Sequence, residues 1–556
     1  MWAMSPRLCA FLLSMTLVAL PRASALDPAH RLSAPAAGHA AGHGQAVAPA
    51  SSPTVRTASG DLSGVASGSG SGSGILAFKG IPFAAPPVGD LRWRAPRPPV
   101  SWTGVRKGDA FGPNCMQNLA GRHDPWTEEY MAHGEISEDC LVLNVWTPAL
   151  PGASGSARQT RQTPPRPVLV FLHGGAFVEG SGSVAVYDGE ALARKGIVAV
   201  TINYRLGVLG FFAHPELTRE SESHASGNYG LLDVVAALRW VQQNIGAFGG
   251  DPQRVALAGQ SAGAIMVTAL TASPLAKGLF QRAIIDSDGA IFGGGAWRTR
   301  SLADGEQDGV TFATARGLSS LAELRAKSWK DLTAPVSASG TTPAPAPFRG
   351  APVVDGYVLP AEAPVIFAQG TQNDVPTLTG INADELIGGL RAETYVAQVS
   401  ERYGDMAGAY LSLYPSSAAD IVAGGRDRGR VTLHRWATAR AKTARTKVFT
   451  YYWSHAEPGP DAARYGAFHT SEVPYFFNNL QAPRPFTAKD RKIADTLSSY
   501  WVNFAATGDP NGKGLPSWPA FEAGRAQTME VGERFAPFPV AGSPAKLTFF
   551  ERFLNK

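Results

Sequence analysis

Arg254-Val-Ala-Leu-Ala-Gly-Gln-Ser-Ala-Gly-Ala264 is the stretch on which the reading of the chain turns. A short apolar run ends in Gly259-Gln260-Ser261-Ala262-Gly263, and small residues at helical spacing follow. Strand, sharp turn and helix in that order form a nucleophile elbow, which holds the serine hydroxyl out at the carboxyl end of a sheet on a strained backbone. The positions two before and two after the serine must be nearly free of side chain, because strand and helix almost touch there; Gly259 and Gly263 meet that need. With glycine this frequent, a Gly-x-Ser-x-Gly arises by chance in roughly one such chain of two, so the flanks must carry the argument.

Working outward, Val168 to Leu172, Ile197 to Ile202 and Val255 to Ala258 are unbroken apolar runs, as expected of parallel strands buried on both faces. Between the last two, Tyr229 to Ile245 sets Leu231, Leu232, Val235, Leu238 and Val241 at helical spacing. Gly249-Gly-Asp-Pro252 should end that helix and turn the chain into the elbow strand. Strands alternating with helices predict an α/β fold with a large, mostly parallel central sheet flanked by helices. Residues 296 to 350, rich in Ala, Pro and Thr, read as a cap or surface excursion of the same domain.

The chain has 556 residues, 44 % hydrophobic and 17 % charged, which fits a globular protein of one to four domains. Arg7, the apolar run Leu8 to Leu20 and the small-x-small Ala23-Ser24-Ala25 make residues 1–25 a signal peptide. A membrane span needs about 20 apolar residues, and no stretch of the chain is that long and that apolar. The protein is therefore expected to be secreted or periplasmic. Residues 26–53 cannot bury enough apolar surface to offset ordering entropy and read as a disordered low-complexity leader, with His39 and His43 solvated rather than metal-bound. Residues 54–556 read as one domain, with the Gly/Ser repeat Ser67 to Gly74 at a hairpin tip.

Removing Arg7 and Arg22 with the signal peptide lowers the formal charge from +5 to +3, and no basic block alternates with aromatics. That excludes a nucleic-acid binder of the ordinary kind. Of three cysteines, Cys9 leaves with the signal peptide, so Cys115 and Cys140 form the only pair. In an oxidising compartment the pair reads as a disulfide, closing a loop worth about 3 kcal/mol on the chain-entropy model. A metal site would need more Cys and His in register, and none is predicted.

Two further segments, Phe78-Lys-Gly-Ile-Pro-Phe-Ala-Ala-Pro-Pro-Val-Gly-Asp-Leu-Arg-Trp93 and Ser137-Glu-Asp-Cys-Leu-Val-Leu-Asn-Val-Trp-Thr-Pro148, together with the serine elbow closely resemble the type-B carboxylesterase family. That family includes cholinesterases and many bacterial esterases. The resemblance continues to Trp501-Val-Asn-Phe-Ala-Ala-Thr-Gly-Asp-Pro-Asn511 and Trp518-Pro519, nearly the whole length after the leader. It implies an α/β-hydrolase fold whose loop excursions form a gorge. The implied activity is that of a serine hydrolase for small-molecule carboxylic esters, with no cofactor. The exported bacterial type resembled here includes esterases that remove bulky side-chain acids from polyketide toxins, so a large polar ester is an alternative substrate. A non-catalytic binding protein of the same fold is the alternative from another class.

A serine hydroxyl needs a base to take its proton, and the base needs an acid behind it. In α/β-hydrolases the chain order is serine, acid, histidine. Only His434, His455 and His469 follow Ser261. His434 reads as part of an amphipathic helix, and His455 follows the aromatic strand Val448 to Trp453. His469, in Gly466-Ala-Phe-His-Thr-Ser-Glu-Val-Pro-Tyr-Phe476, has the family's catalytic-histidine context. The acid comes from Pro376-Thr-Leu-Thr-Gly-Ile-Asn-Ala-Asp-Glu385, an apolar strand ending in two carboxylates. The family pattern selects the second, Glu385, with Asp384 the alternative; Leu386 stands where the family usually has glycine.

Negative charge on the tetrahedral carbonyl oxygen wants preorganised N–H donors, each worth about 10²–10³ in rate. His173-Gly-Gly-Ala-Phe177 matches the family's oxyanion loop, which assigns the amides of Gly175 and Ala176, joined by that of Ala262; His173 braces the loop. Ser287 matches a second family serine thought to hydrogen-bond within the triad, although Asp288 follows where glycine is favoured. Glu138 should pair with Arg92 or Arg94, and Trp126 and Trp297 are either gorge-lining or packing tryptophans.

Intact mass measurement on exported protein should show a chain that begins at Leu26 and lies two hydrogens below its reduced mass. Two free thiols, or a start well before Leu26, would contradict this reading.

Overall fold

The apolar runs pair into one sheet. The computed structural model describes residues 52–555 apart from 69–73, 120–123, 149, 151–163, 290–298, 337–347, 349, 386–391 and 482. The expected signal peptide, most of the leader, most of the Gly/Ser repeat, Trp297 and Leu386 lie outside the described residues. The strands of the main sheet are β1 (Val65–Ala66), β2 (Leu76–Pro82), β3 (Val142–Thr147), β4 (Arg166–Leu172), β5 (Val198–Ile202), β6 (Gly250–Gln260), β7 (Arg282–Asp286), β8 (Thr377–Asn382), β9 (Val448–Trp453), β10 (Gln527–Val531) and β11 (Ala536–Pro539). Their spatial order is β11-β10-β9-β8-β7-β6-β4-β5-β3-β2-β1. Every pairing from β5 across to β10 is parallel, and the remaining edge strands pair antiparallel.

Side-chain alternation decides where the two cores lie. Val168, Val170 and Leu172 of β4 face one way, with the helices α1 (Tyr229–Asn244) and α2 (Ala262–Ala272). Leu169 and Phe171 face the other, with Ile493, Leu497 and Trp501 of a helix that spans Ala488–Thr507. Both faces are apolar because both are covered, which is why these strands read as unbroken runs in the sequence. Helix α1 passes through a short 3₁₀ turn to Gly249, whose left-handed φ of 79° ends it. Gly250 to Pro252, expected as the turn, already belong to β6, and the ladder to β4 is broken between Gly250 and Val255.

The excursion expected at 296–350 carries helices over Leu302–Thr314, Leu321–Ala326 and Trp329–Thr333. Phe312, Leu321, Leu324 and Leu332 from them surround a small satellite core with Trp93 and Phe212. The ion pair expected of Glu138 forms with Arg92, whose Nε donates to Oε2 at 2.8 Å, while Arg94 reaches Glu220 instead. Among the described residues no helix is long and apolar enough to cross a membrane.

Chain order along the sheet reverses at β4. From β4 the chain goes outward to β5 and then returns to place β6 on β4's other side. Loops leaving the carboxyl ends of β4 and β6 therefore diverge and leave a crevice, the usual binding position in an open α/β sheet. At that crevice β6 hands over to α2 with almost no spacing. A Cβ on Gly259 would lie 2.5 Å from the backbone of Gly263, and one on Gly263 would lie 2.7 Å from Leu172 C and 2.8 Å from His173 O. Gly263→Ala should therefore drive α2 off both strands and yield little soluble, cooperatively unfolding protein. Gly246→Ala, where a Cβ meets nothing within 4 Å, is the control; equal melting temperatures would refute the close-contact account.

Candidate active site

Ser261 sits at the turn between β6 and α2 with φ 57° and ψ −120°, a conformation that costs a non-glycine residue on the order of 1–3 kcal/mol. The elbow is pinned by Ser261 N–H donating to Asp286 O at 2.9 Å and Ile265 N–H donating to Ser261 O at 3.0 Å. Beside it, the loop after β4 runs through Gly175 (φ 111°) and Ala176 (φ 52°). Left-handed backbone turns successive amides toward a common point, which makes an anion nest. Among the described residues the N–H groups of Gly175, Ala176 and Ala262 have no protein acceptor. His173 is buried below this loop: Nδ1 contacts Gly174 O at 2.7 Å, the ring stacks on Tyr204 at 4.3 Å, and burial pulls its pKa down to about 4. Its neutrality and burial suit a brace.

The acid and the base come from the ends of β8 and the loop after β9. Glu385 Oε2 lies 2.5 Å from His469 Nδ1, and its Oε1 accepts the Asn382 N–H at 2.7 Å. With Nδ1 carrying a proton toward the carboxylate, Nε2 is left as an acceptor facing the cavity. Gln260 approaches that nitrogen, Nε2 to Nε2 at 3.3 Å. Asp384, the alternative acid, is used differently. Arg426 pairs with it at 3.0 and 2.8 Å, and its Oδ2 accepts the Ala467 N–H at 2.9 Å. Asp384 N–H in turn donates to Ala467 O, so this residue clasps the histidine loop to the sheet while Glu385 faces the imidazole.

The other two histidines are spent elsewhere. His455 lies between Asp490, at 2.8 Å, and Glu533, at 2.5 Å, and His434 packs on Phe521 in a helix over Ala418–Ala441. Ser287 differs from what the resemblance implied. Its φ is 57° and its N–H donates to Gly380 O, but among the described residues its buried Oγ has no partner, the triad residues included. The neighbouring Asp288 turns away to accept from Thr268 Oγ1 at 2.5 Å. Behind Glu385 stand two buried acids, Asp286 and Glu472. Burial, above all, pushes Asp286 up to about 7 and Glu472 well above the usual carboxyl range, and the mutual repulsion of these carboxylates adds to the rise in Glu472.

Ser261, His469 and Gly174 to Ala176 share a cavity of about 260 Å³ with Trp126, Tyr130, Tyr187 and Glu179. Trp126 thus lines the gorge. It belongs to the loop closed by the Cys115–Cys140 disulfide, whose Cα atoms are 5.0 Å apart. That loop is fastened onto the histidine turn. Trp126 Nε1 donates to Thr470 Oγ1 at 3.2 Å, and the rings of Trp126 and Tyr130 meet Phe468 edge-on. Arg484 clamps the same loop through Pro125 O, Thr127 Oγ1 and Glu129 Oε1 while pairing with buried Glu457 at 2.8 Å. Sequence reasoning missed Gln260, Asn382 and Arg484. The first two stand within three residues of assigned positions, but nothing local to Arg484 marks it.

A parallel sheet with a strained serine at its switch point, an amide nest beside it and a carboxylate-held histidine opposite defines an α/β-hydrolase. The Carboxylesterase family profile matches residues 51–410 and 430–546, and the chain belongs to that family and is a carboxylic ester hydrolase. It is 39 % identical to the fumonisin B1 esterase of Sphingopyxis macrogoltabida, over 84 % of this chain and 86 % of that one. With the para-nitrobenzyl esterase of Bacillus subtilis (strain 168) it shares 34 % identity, over 82 % and 91 % of the two chains. A solved PNB esterase structure superposes with a TM-score of 0.71 at 32 % identity, covering 89 % of this chain and 99 % of that one.

Arg484→Met strands two acids without their cation and should cost about 3 kcal/mol in urea unfolding. Because the disulfide loop loses its grip on the histidine turn, kcat should also fall. Adding Glu457→Gln, which removes the buried charge, should return part of the stability. A double variant no more stable than the single one would show that the Arg484–Glu457 pair is not the clamp.

Proposed function

We propose that the chain cleaves esters through an acyl-enzyme on Ser261, with His469 as the base, Glu385 as its orienting acid and no cofactor. The observation that carries this reading is the 2.5 Å contact between His469 Nδ1 and Glu385 in a cavity that also holds Ser261 and the amide nest. His469 Nε2 takes the serine proton as Oγ attacks the ester carbonyl. The carbonyl oxygen becomes an oxyanion beside the amides of Gly175, Ala176 and Ala262, which need no reorganisation to receive it. The imidazolium, stabilised by Glu385, then gives its proton to the leaving alcohol. Water repeats the cycle on the acyl-enzyme. The Gln260 amide must release Nε2 before the serine can use it, and this sets the resting contact apart from the reactive one.

The substrate is a small-molecule ester. The 39 % identity to a fumonisin B1 esterase favours a second reading within the same chemistry, a bulky polar ester rather than a simple aliphatic one. The signal peptide read from residues 1–25 supports action outside the cytoplasm. A fluorophosphonate probe should label wild type at Ser261; an unlabelled protein would favour a binding module.

Ser261→Ala should remove nearly all of the chemical step, and adding His469→Ala should cost little more, since a base has nothing to activate once the nucleophile is gone. Glu385→Gln should lower kcat on the order of 10³–10⁴-fold. Asp384→Asn, which keeps an acceptor for the Ala467 amide, should retain most activity per folded molecule. His455→Ala should lower stability yet leave the turnover of folded protein near wild type. If Asp384→Asn proved the dead variant, or His455→Ala, the assignment of acid or base would be wrong.

A further inference from the structure

Glu179 ends the loop that begins at His173, and among the described residues its carboxylate has no partner. Its N–H donates to Gly175 O at 3.1 Å and folds the loop back on itself. As a result Glu179 Cγ lies 3.0 Å from the point where a side chain on Gly175 would begin. The half-buried side chain lines the same cavity as Ser261 and His469. Among the described residues it has no hydrogen bond and no ion pair. Two other polar side chains of the wall, Gln117 and Tyr130, are committed. Gln117 Nε2 donates to Gly180 O and Cys115 O, its Oε1 accepts the Gly180 N–H, and the Tyr130 hydroxyl donates to Glu457. No lysine or arginine is among the described residues lining the cavity.

The Glu179 side chain passes beside Gly175, whose amide is one of those assigned to the oxyanion, and its carboxylate belongs to the same cavity. Negative charge developing on the carbonyl oxygen is repelled by it, and the protein walls screen that repulsion less than bulk water would. A substrate that brings its own positive charge to this corner removes the penalty and gains an ion pair. We propose that Glu179 determines specificity, favouring esters that carry an ammonium-class cation next to the oxyanion hole and disfavouring those with an anionic group there. This rests on the ester-hydrolase reading of the same cavity and narrows its substrate class.

The test uses two series of matched esters, one varied in the acyl group and one in the alcohol, each ending in a neutral alkyl, a trimethylammonium or a carboxylate group. In at least one series wild type should prefer the cationic over the anionic ester by about tenfold or more in kcat/KM at low salt, and about 0.5 M salt should shrink the gap. Glu179→Gln should slow the cationic ester and speed the anionic one, bringing their ratio near one, while Glu179→Asp keeps the preference. Opposite effects on the two esters are a signature that a packing defect would not give. A ratio near one for wild type in both series, or one unchanged in Glu179→Gln, overturns the proposal. Tetramethylammonium binding, followed by tryptophan fluorescence, needs no turnover and should weaken about tenfold in Glu179→Gln; equal binding likewise overturns it. Should no ester be turned over while tetramethylammonium binding still depends on Glu179, the hydrolase reading fails and the cation site stands.

Discussion

Three backbones meet at this site with no side chain between them, and most of what the protein can do depends on that contact. Gly259 of β6 rests on Gly263 of α2, Gly263 rests on the end of β4, and a Cβ on Gly174 would lie 3.0 Å from Ser261 Cβ. Interiors are packed as tightly as organic crystals, so elements in direct backbone contact cannot shift independently. The two apolar cores press on the sheet from either side and hold the contact closed. This rigidity lets the elbow keep Ser261 at an unfavourable φ and keeps the amides of the β4 loop at a fixed distance from it. The amides are thus held in place by the packing around them.

Around that contact the carboxylates differ in their partners and their burial. Glu385 is held by the Asn382 amide and the imidazole, and Asp384 by Arg426. Asp286 and Glu472, which have no ion pair among the described residues, are pushed upward chiefly by burial. The sign of the resulting linkage is definite. A carboxyl whose folded pKa is raised ionises first in the unfolded chain, so it favours unfolding progressively as pH climbs from the ordinary carboxyl range to the folded value, about 7 for Asp286. Of these carboxylates only Glu385 contacts the His469 imidazole, at 2.5 Å.

Much of this was legible in the sequence because it is local. The elbow glycines, the apolar runs of β4, β5 and β6, and the strand that ends in Asp384 and Glu385 are each written in a dozen residues or fewer. The adjacent carboxylates could be ranked only by family pattern, since their division of labour is made by Arg426 and Ala467 from distant segments. Arg484 and Glu179 escaped for the same physical reason. Arg484 is one of many arginines until the chain folds it against Thr127, 357 residues away. Glu179 is an ordinary exposed-looking acid until the loop turns it back over Gly175. Ser287 shows the opposite error, a motif match whose hydroxyl the folded chain leaves unpartnered.

Strand order has a kinetic consequence. His469 meets a carboxylate 84 residues earlier and a glutamine 209 residues earlier, and β6 pairs with β4 although β5 stands between them in sequence. Contacts so distant along the chain require large loops to close before they return any stabilisation, which makes parallel sheets slow to form. Ser261, Glu385 and His469 come into one site only after these distant segments have packed together. Activity is therefore among the last properties that this polypeptide acquires as it folds.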